Sequence, residues 1–213
     1  LLSTFLSLTM VDSLLYFKIP GRAEAIRLMY ALAQVELEDK TVPSREAWFS
    51  EMKPRMSVSG ELPFAQLPQF VDGDSGRVLV QSAVIQRYCA KKLNLLPTDP
   101  DRAYEAEMTI AEMGSIYDMM YYVFRGFINP DEKESLVSAR MTALSHVDRM
   151  VGKEEGPFFA SAPSYIDCIA VATLDTLIER QFIKLEDYPA LAKLHTAFNA
   201  LPQIKEYRER KEA

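Results

Sequence analysis

The order in which strand and helix patterns follow one another constrains this chain more than any single motif. Residues 13–18 (SLLYFK) read as a short strand. Gly21 then makes a turn, and Ile26, Met29, Tyr30 and Ala33 recur at the spacing of one stripe on an amphipathic helix. Residues 37–42 supply a second strand, and Ser44 can N-cap a helix reaching about Met52. Residues 67–71 and 77–80 make two more strands, joined by Asp72-Gly73-Asp74-Ser75-Gly76, which reads as a hairpin link. Val84, Ile85, Tyr88, Cys89 and Leu93 place a helix over 81–93. The order β-α-β-α-β-β-α predicts an α/β unit.

Pro97, Asp99 and Pro100 then punctuate the chain, and beyond them strand patterns all but vanish. Ile116, Met119, Met120, Val123, Phe124 and Phe127 repeat as a core-facing stripe, and so do Ile166, Ile169, Ala170, Thr173, Leu174, Leu177 and Ile178. Val137, Met141, Leu144, Val147 and Val151 mark another helix, and Leu191, Leu194, Phe198 and Leu201 a later one. The expected division is an α/β domain over 11–94 and an all-helical domain over 99–213. Residues 1–10 are expected to be an extension, because the run up to Thr9 is apolar but lacks the basic start and small-residue cleavage site of a signal peptide. Spacing alone accounts for the Met and aromatic stripes as packing.

Composition narrows the function classes. Of the 213 residues, 48% are apolar and 25% charged, enough apolar material to offset chain entropy around a core. A net charge of −6 argues against a surface that tracks nucleic-acid phosphates or anionic lipid. The charge is uneven, +1 over residues 1–95 and −7 over the rest, so an anion site is expected in the first half. No apolar run reaches the roughly 18–20 residues of a bilayer crossing. Cys89 and Cys168 lie far apart in helix-like patterns, without metal-ligand or C-x-x-C spacing, which points away from disulfides and metal and toward a reducing cytoplasm. His146 and His195 lie in helical patterns and receive no role.

Three constellations could carry chemistry. Tyr16 ends the first strand just before Lys18-Ile19-Pro20-Gly21-Arg22. It is either a packed aromatic or a hydroxyl beside helix-opening N–H groups and a guanidinium, which together favour an anion. Leu67-Pro68 stands at the head of a strand, where a cis bond would turn the Leu67 backbone outward and a trans bond would make an ordinary turn. Val80-Gln81-Ser82-Ala83 crosses from strand to helix, where Ser82 either caps the helix or, with the first-turn N–H groups, holds a carboxylate.

Taken in order along the chain, these motifs resemble a cytosolic glutathione S-transferase of the tyrosine-using, sigma-like kind. The resemblance is carried by Leu15-Tyr16-Phe17 with Gly21-Arg22-Ala23-Glu24, by Trp48 with Lys53, by Pro63-Phe64-Ala65-Gln66-Leu67-Pro68, and by Gln81-Ser82-Ala83-Val84-Ile85-x-Arg87-Tyr88. Gly156-Pro157-Phe158 followed by Ser164-Tyr165-Ile166-Asp167 matches the start of a second-domain helix, with Ser164 and Asp167 as an N-cap box. The resemblance implies a thioredoxin-like N-terminal domain, an all-α C-terminal domain, glutathione as co-substrate, no metal, and a cytoplasmic homodimer. It implies that the Tyr16 hydroxyl donates to the glutathione sulfur and that Gln66, Leu67 and Pro68 hold the cysteinyl backbone. Trp48 and Lys53 would hold the glycyl carboxylate, and Gln81 and Ser82 the γ-glutamyl carboxylate. Arg22 would add charge near the thiolate, and Asp118 would reach across the dimer to the γ-glutamyl amine. Phe17, Ile19, Pro20, Tyr117, Met120 and Tyr121 are the expected electrophile pocket.

The chain departs from the family pattern in places. Pro20 replaces a basic residue before Gly-Arg, Ala65 replaces a glycine, and 53–62 is longer than the sigma-like form. No cysteine opens the first helix, so exchange through a protein thiol is disfavoured. Rival readings on the same frame are a glutathione-dependent isomerase or peroxidase and a crystallin-like scaffold.

Overall fold

Four short strands form one mixed sheet in the computed structural model, which describes residues 10–153 and 156–212. β1 (Ser13–Tyr16), β2 (Glu38–Thr41), β3 (Gln69–Val71) and β4 (Val78–Val80) lie in the order β2-β1-β3-β4. β1 and β2 run parallel, as a helical crossover between them requires, while β1–β3 and β3–β4 are antiparallel. A 3₁₀ turn over Gly21–Ala23 leads into α1 (Glu24–Ala33). α2 (Arg45–Ala47) runs through a π turn, Trp48–Met52, into α3 (Lys53–Ser59). After the hairpin come α4 (Ser82–Lys92), α5 (Pro100–Phe124), α6 (Pro130–Val151), α7 (Tyr165–Glu179), α8 (Pro189–Asn199) and α9 (Pro202–Glu212). The chain thus has the expected α/β first half and helical second half.

Local chemistry explains where elements stop. β1 ends at Tyr16, two residues short of expectation, because the Ile19 N–H turns back to the Phe17 carbonyl at 2.7 Å and Pro20 has no N–H to give a ladder. β3 begins at Gln69, because Pro68 likewise cannot donate, and the Leu67–Pro68 bond is cis. Ser44 caps α2 as expected, accepting from the Ala47 N–H at 3.0 Å. The helical run nevertheless continues past Met52 to Ser59, where Gly60 in the left-handed region ends it. Ser164 and Asp167 form the expected capping box.

Two expectations change. The α1 stripe turns out to be a helix buried from Glu24 through Tyr30, because α4, α7 and α9 pack around it and Tyr30 meets Phe70 of the sheet. The α5 stripe is buried at Ile116, Met119 and Met120 but exposed at Phe124 and Phe127, since α5 outruns the core and the turn at Gly126 leads away. Helix α9 escaped sequence reading because it offers the core little beyond Ile204 and Tyr207. Polar contacts hold it instead: Tyr207 Oη and Lys211 Nζ donate to the buried Glu24 carboxylate at 3.0 and 2.8 Å, and Arg208 to Asp175 at 2.5 Å. His195 joins the same group at 2.7 Å from Asp175, a packing role.

A second ionic knot fastens the sheet. Lys92, at the end of α4, donates to Asp12 at 2.7 Å and to Asp72, while Asp12 also accepts from Tyr30 Oη at 2.6 Å and from the Gly73 N–H at 2.7 Å. Gly73 cannot be otherwise: a Cβ there would lie 1.7 Å from the Met10 carbonyl. Met10 is the first described residue, and residues 1–9 of the expected extension lie outside the described residues.

Burial works to raise the Asp72 pKa, but hydrogen bonds from Lys92 and Ser75 prevail and hold it below the ordinary carboxylate range. A carboxylate depressed in this way lends stability above about pH 4 that is lost as pH falls toward the folded-state value. Lys92→Ala, which strands two buried carboxylates, is expected to cost about 3 kcal/mol in urea unfolding at neutral pH. The same titrations repeated toward pH 3 should fall less steeply for the variant than for the wild type.

Candidate active site

Sheet register brings the predicted residues to one end of the sheet. Leu15 pairs with Gln69, and Gln69 with Val80. Tyr16, just after Leu15, therefore lies near Gln66-Leu67-Pro68, just before Gln69, and near Gln81-Ser82, just after Val80. Three segments far apart in sequence meet at this edge, above the start of α4.

Tyr16 is buried, and its oxygen accepts from the Arg22 N–H at 3.3 Å. No described residue takes the phenolic proton, so the hydroxyl remains free to donate. Gly21 makes this arrangement possible. It adopts φ +49°, and a Cβ there would sit 2.8 Å from Tyr16 Cε1 and 2.9 Å from its oxygen. Burial raises the Tyr16 pKa, and the Arg22 amide and the charges of Arg22 and Arg27 offset only part of that. The phenol thus stays protonated through neutral pH, as a hydrogen-bond donor must.

Arg22 continues into a cavity of about 260 Å³ that Gln81, Ser82, Tyr117, Asp118 and Thr173 also line. Its guanidinium donates to Asp118 Oδ1 at 2.5 Å. The carboxylate that the resemblance sends across a dimer is here engaged by Arg22 of its own chain. Gln81 adopts φ 72° and ψ 108°, a strained conformation for a residue with a side chain, of the kind that clusters at functional sites. Its amide reaches Gln66 Oε1 at 2.6 Å, joining two of the predicted residues directly. The Leu67 N–H and C=O have no turn or loop partner among the described residues, leaving both backbone groups open.

Trp48 is buried in a small apolar cluster with Val42, Met56, Leu62 and Val80, against which Phe17 and Leu67 pack. No described residue accepts from its indole N–H. The π turn spaces Trp48 and Lys53 so that the Lys53 N–H bonds to the Trp48 carbonyl, stacking the two on successive turns. The Lys53 ammonium sits 5.6 Å over the Phe49 ring.

The expected electrophile residues divide. Phe17 packs edge-on to Tyr16 at 5.5 Å, and Tyr117 and Tyr121 lie beneath Arg22, with ring centroids 5.1 and 5.8 Å from its guanidinium carbon. Met120 is core, 4% exposed. Ile19 and Pro20 line a different cavity, about 660 Å³, with α1, β2 and α9. They point there because Arg27 Nη1 draws both their carbonyls, at 3.0 and 3.2 Å, toward α1. Sequence reading missed Arg27, whose only signal was a charge on an otherwise buried helix.

Neither cysteine can supply a nucleophile. Burial pushes the Cys89 thiol up to about 12 and raises that of Cys168 as well. A sulfur nucleophile used here has to arrive with a ligand. Gly21→Ala is expected to cost about 1–2 kcal/mol in urea unfolding, and a crystal structure of the variant should show the Tyr16 hydroxyl moved off the Arg22 amide.

Comparison with known proteins places this geometry in a family. The glutathione S-transferase N-terminal domain model matches residues 12–91, and the C-terminal domain model matches 117–211. Glutathione S-transferase P of Caenorhabditis elegans is 30% identical over 210 residues, covering 96% of this chain and 95% of the relative. A solved glutathione S-transferase of the same nematode superposes with a TM-score of 0.80 at 24% identity, covering 95% of this chain and 98% of that one. The prostaglandin synthase D of Nilaparvata lugens gives 0.77 at 21%, over 94% of this chain and 98% of that one. The chain belongs to the glutathione S-transferase family, as a thioredoxin-like half joined to an all-helical half.

Proposed function

We propose that this protein is a sigma-like, tyrosine-type glutathione transferase that conjugates the glutathione thiolate to hydrophobic electrophiles. The observation that carries the reading is the free phenolic proton of Tyr16, whose oxygen is already engaged by the Arg22 amide beside an arginine-lined cavity. In this reading Tyr16 donates to the sulfur. The open Leu67 backbone, with Gln66 and Pro68 beside it, holds the cysteinyl unit. Trp48 and Lys53 take the glycyl carboxylate, which suits an indole N–H without a protein acceptor and an ammonium one turn further on. Arg22, Gln81 and Ser82 take the γ-glutamyl carboxylate, and Asp118 reaches across the dimer to the γ-glutamyl amine of the second copy's glutathione. A cytoplasmic homodimer is part of the proposal, with the exposed Phe64, Val84, Tyr104 and Met108 as the surface offered to a second copy.

A cysteine-like thiol of pKa about 8.5 is only about 3% ionised at pH 7, and lowering it by about two units leaves roughly 75% thiolate. That gain of roughly 25-fold is offset about 6- to 10-fold by lower nucleophilicity. Ionisation alone therefore contributes only a few-fold, and holding the electrophile beside the sulfur supplies more of the rate.

Tyr16→Phe should retain glutathione binding while losing most conjugation to a chlorinated dinitrobenzene near pH 7. The rise of kcat/KM with pH should move up by about two units; an unmoved profile with full turnover removes Tyr16 from the chemistry. Lys53→Ala should raise the glutathione KM severalfold with little change in kcat, the signature of a contact made equally in ground and transition states.

A further inference from the structure

The cavity that Ile19 and Pro20 line has no part in the site described above. At about 660 Å³ it has room for a small organic ligand. It follows α1, whose ten residues span about 15 Å, and its charge is uneven along that length. Lys18, Ile19 and Pro20 line it just before α1 begins. Arg210 joins them from α9, because its neighbour Lys211 reaches Glu24, the first residue of α1, at 2.8 Å. Val35, Glu36 and Leu37 line it just after α1 has ended.

One end is therefore cationic. Lys18 makes no ion pair among the described residues, and Arg210 has only a contact of 3.9 Å with Glu206. Arg27 and Asp39, also in the lining, satisfy each other at 2.7 Å and add no net charge. At the opposite end Glu36 repels an acid, which fixes the direction in which an anion enters. Much of the remaining lining is apolar: Ala31 and Leu37 contribute, and Ile19 and Val35 leave large side chains 55% and 46% exposed. Two unspent cations at one end of an apolar length complement a molecule with an acid at the head of a hydrocarbon chain.

Occupancy bears on the phenol. Because Ile19 and Pro20 form part of the wall, the cavity exists only while their loop holds the place that sets Gly21 and the Arg22 amide against Tyr16. A ligand that fits the cavity stabilises that arrangement, and so does glutathione if it needs the phenol there. Building on the transferase reading for this coupling, we propose that the cavity is an effector site for a single-chain alkyl carboxylate, whose occupancy tightens glutathione binding. The acid lies at Lys18 and Arg210, and the chain runs along α1 toward Val35. A saturated chain of about twelve carbons matches the length of the helix.

Calorimetric titration of the whole protein with dodecanoate tests this. The wild type is expected to bind one dodecanoate per chain, and to bind dodecanol about fivefold more weakly, since an alcohol forgoes the two cations. Lys18→Glu combined with Arg210→Glu should abolish the preference for the acid, and Ala31→Trp, which fills the groove, should abolish dodecanoate binding. Both variants should bind S-hexylglutathione within about twofold of the wild type in the absence of dodecanoate, which reports an intact fold. Saturating glutathione should tighten dodecanoate binding about fivefold, and saturating dodecanoate should tighten glutathione by the same factor, as linkage requires. Dodecanoate that fails to bind, or that binds both variants as it binds the wild type, overturns the site. Binding that responds to the variants without mutual tightening overturns the effector role while leaving the transferase reading intact. If glutathione itself does not bind, the transferase reading falls, and the effector role falls with it whatever dodecanoate does.

Discussion

One buried guanidinium holds the head of this molecule in place. Arg27 clasps Asp39 of β2 through two donors, at 2.7 and 3.2 Å, and spends a third on the carbonyls of Ile19 and Pro20. Those carbonyls belong to a loop that cannot satisfy them itself. On its other side Arg27 lies 3.5 Å from the buried Glu24, which in turn receives Tyr207 and Lys211 from α9. A single set of charges therefore joins the edge strand, the β1–α1 loop and the last helix. Such a group is built to be complete, because removing any member leaves another charge buried without its partner.

The position of that set explains how Tyr16 can be both buried and available. The loop is drawn toward α1 by Arg27, and Gly21 then lets the backbone pass close to the phenol ring, where an added carbon would collide. The helix that follows presents its Arg22 amide to the oxygen and its side chain to α5. Positioning the hydroxyl is thus a property of the loop's backbone and of residues behind it more than of any group in front.

Much of this was legible in the chain. The succession of strand and helix periods, the Ser44 cap and the Ser164–Asp167 box depend on local rules, and the fold obeys them. Gln66, Gln81 and Ser82 were found through a motif, but only the register Leu15–Gln69–Val80 shows why distant segments meet. What periodicity could not convey was depth. Ile116 and Phe124 sit in the same helical pattern, yet one is core and the other wet, because the pattern records a face and not how far the neighbouring helices extend along it. Helix α9 was illegible for the opposite reason: its anchors are polar, and Glu24, Arg27 and Asp175 carry no periodic signal. Ile19 and Pro20 line a different cavity from Arg22 because their carbonyls are drawn to Arg27, which no side-chain pattern reports.

The two outer strands of the sheet have a consequence for the life of the protein in a crowded cell. β2 reads Glu-Asp-Lys-Thr, all exposed, and β4 is only three residues long. An open sheet margin invites strands from other molecules to add on, and brevity and charge are two ways natural sheets discourage it. At the margin of β2, three consecutive charged residues make docking of an apolar strand unfavourable. The same Asp39 that anchors Arg27 therefore also helps to keep separate copies of this chain from zipping together into fibrous aggregates.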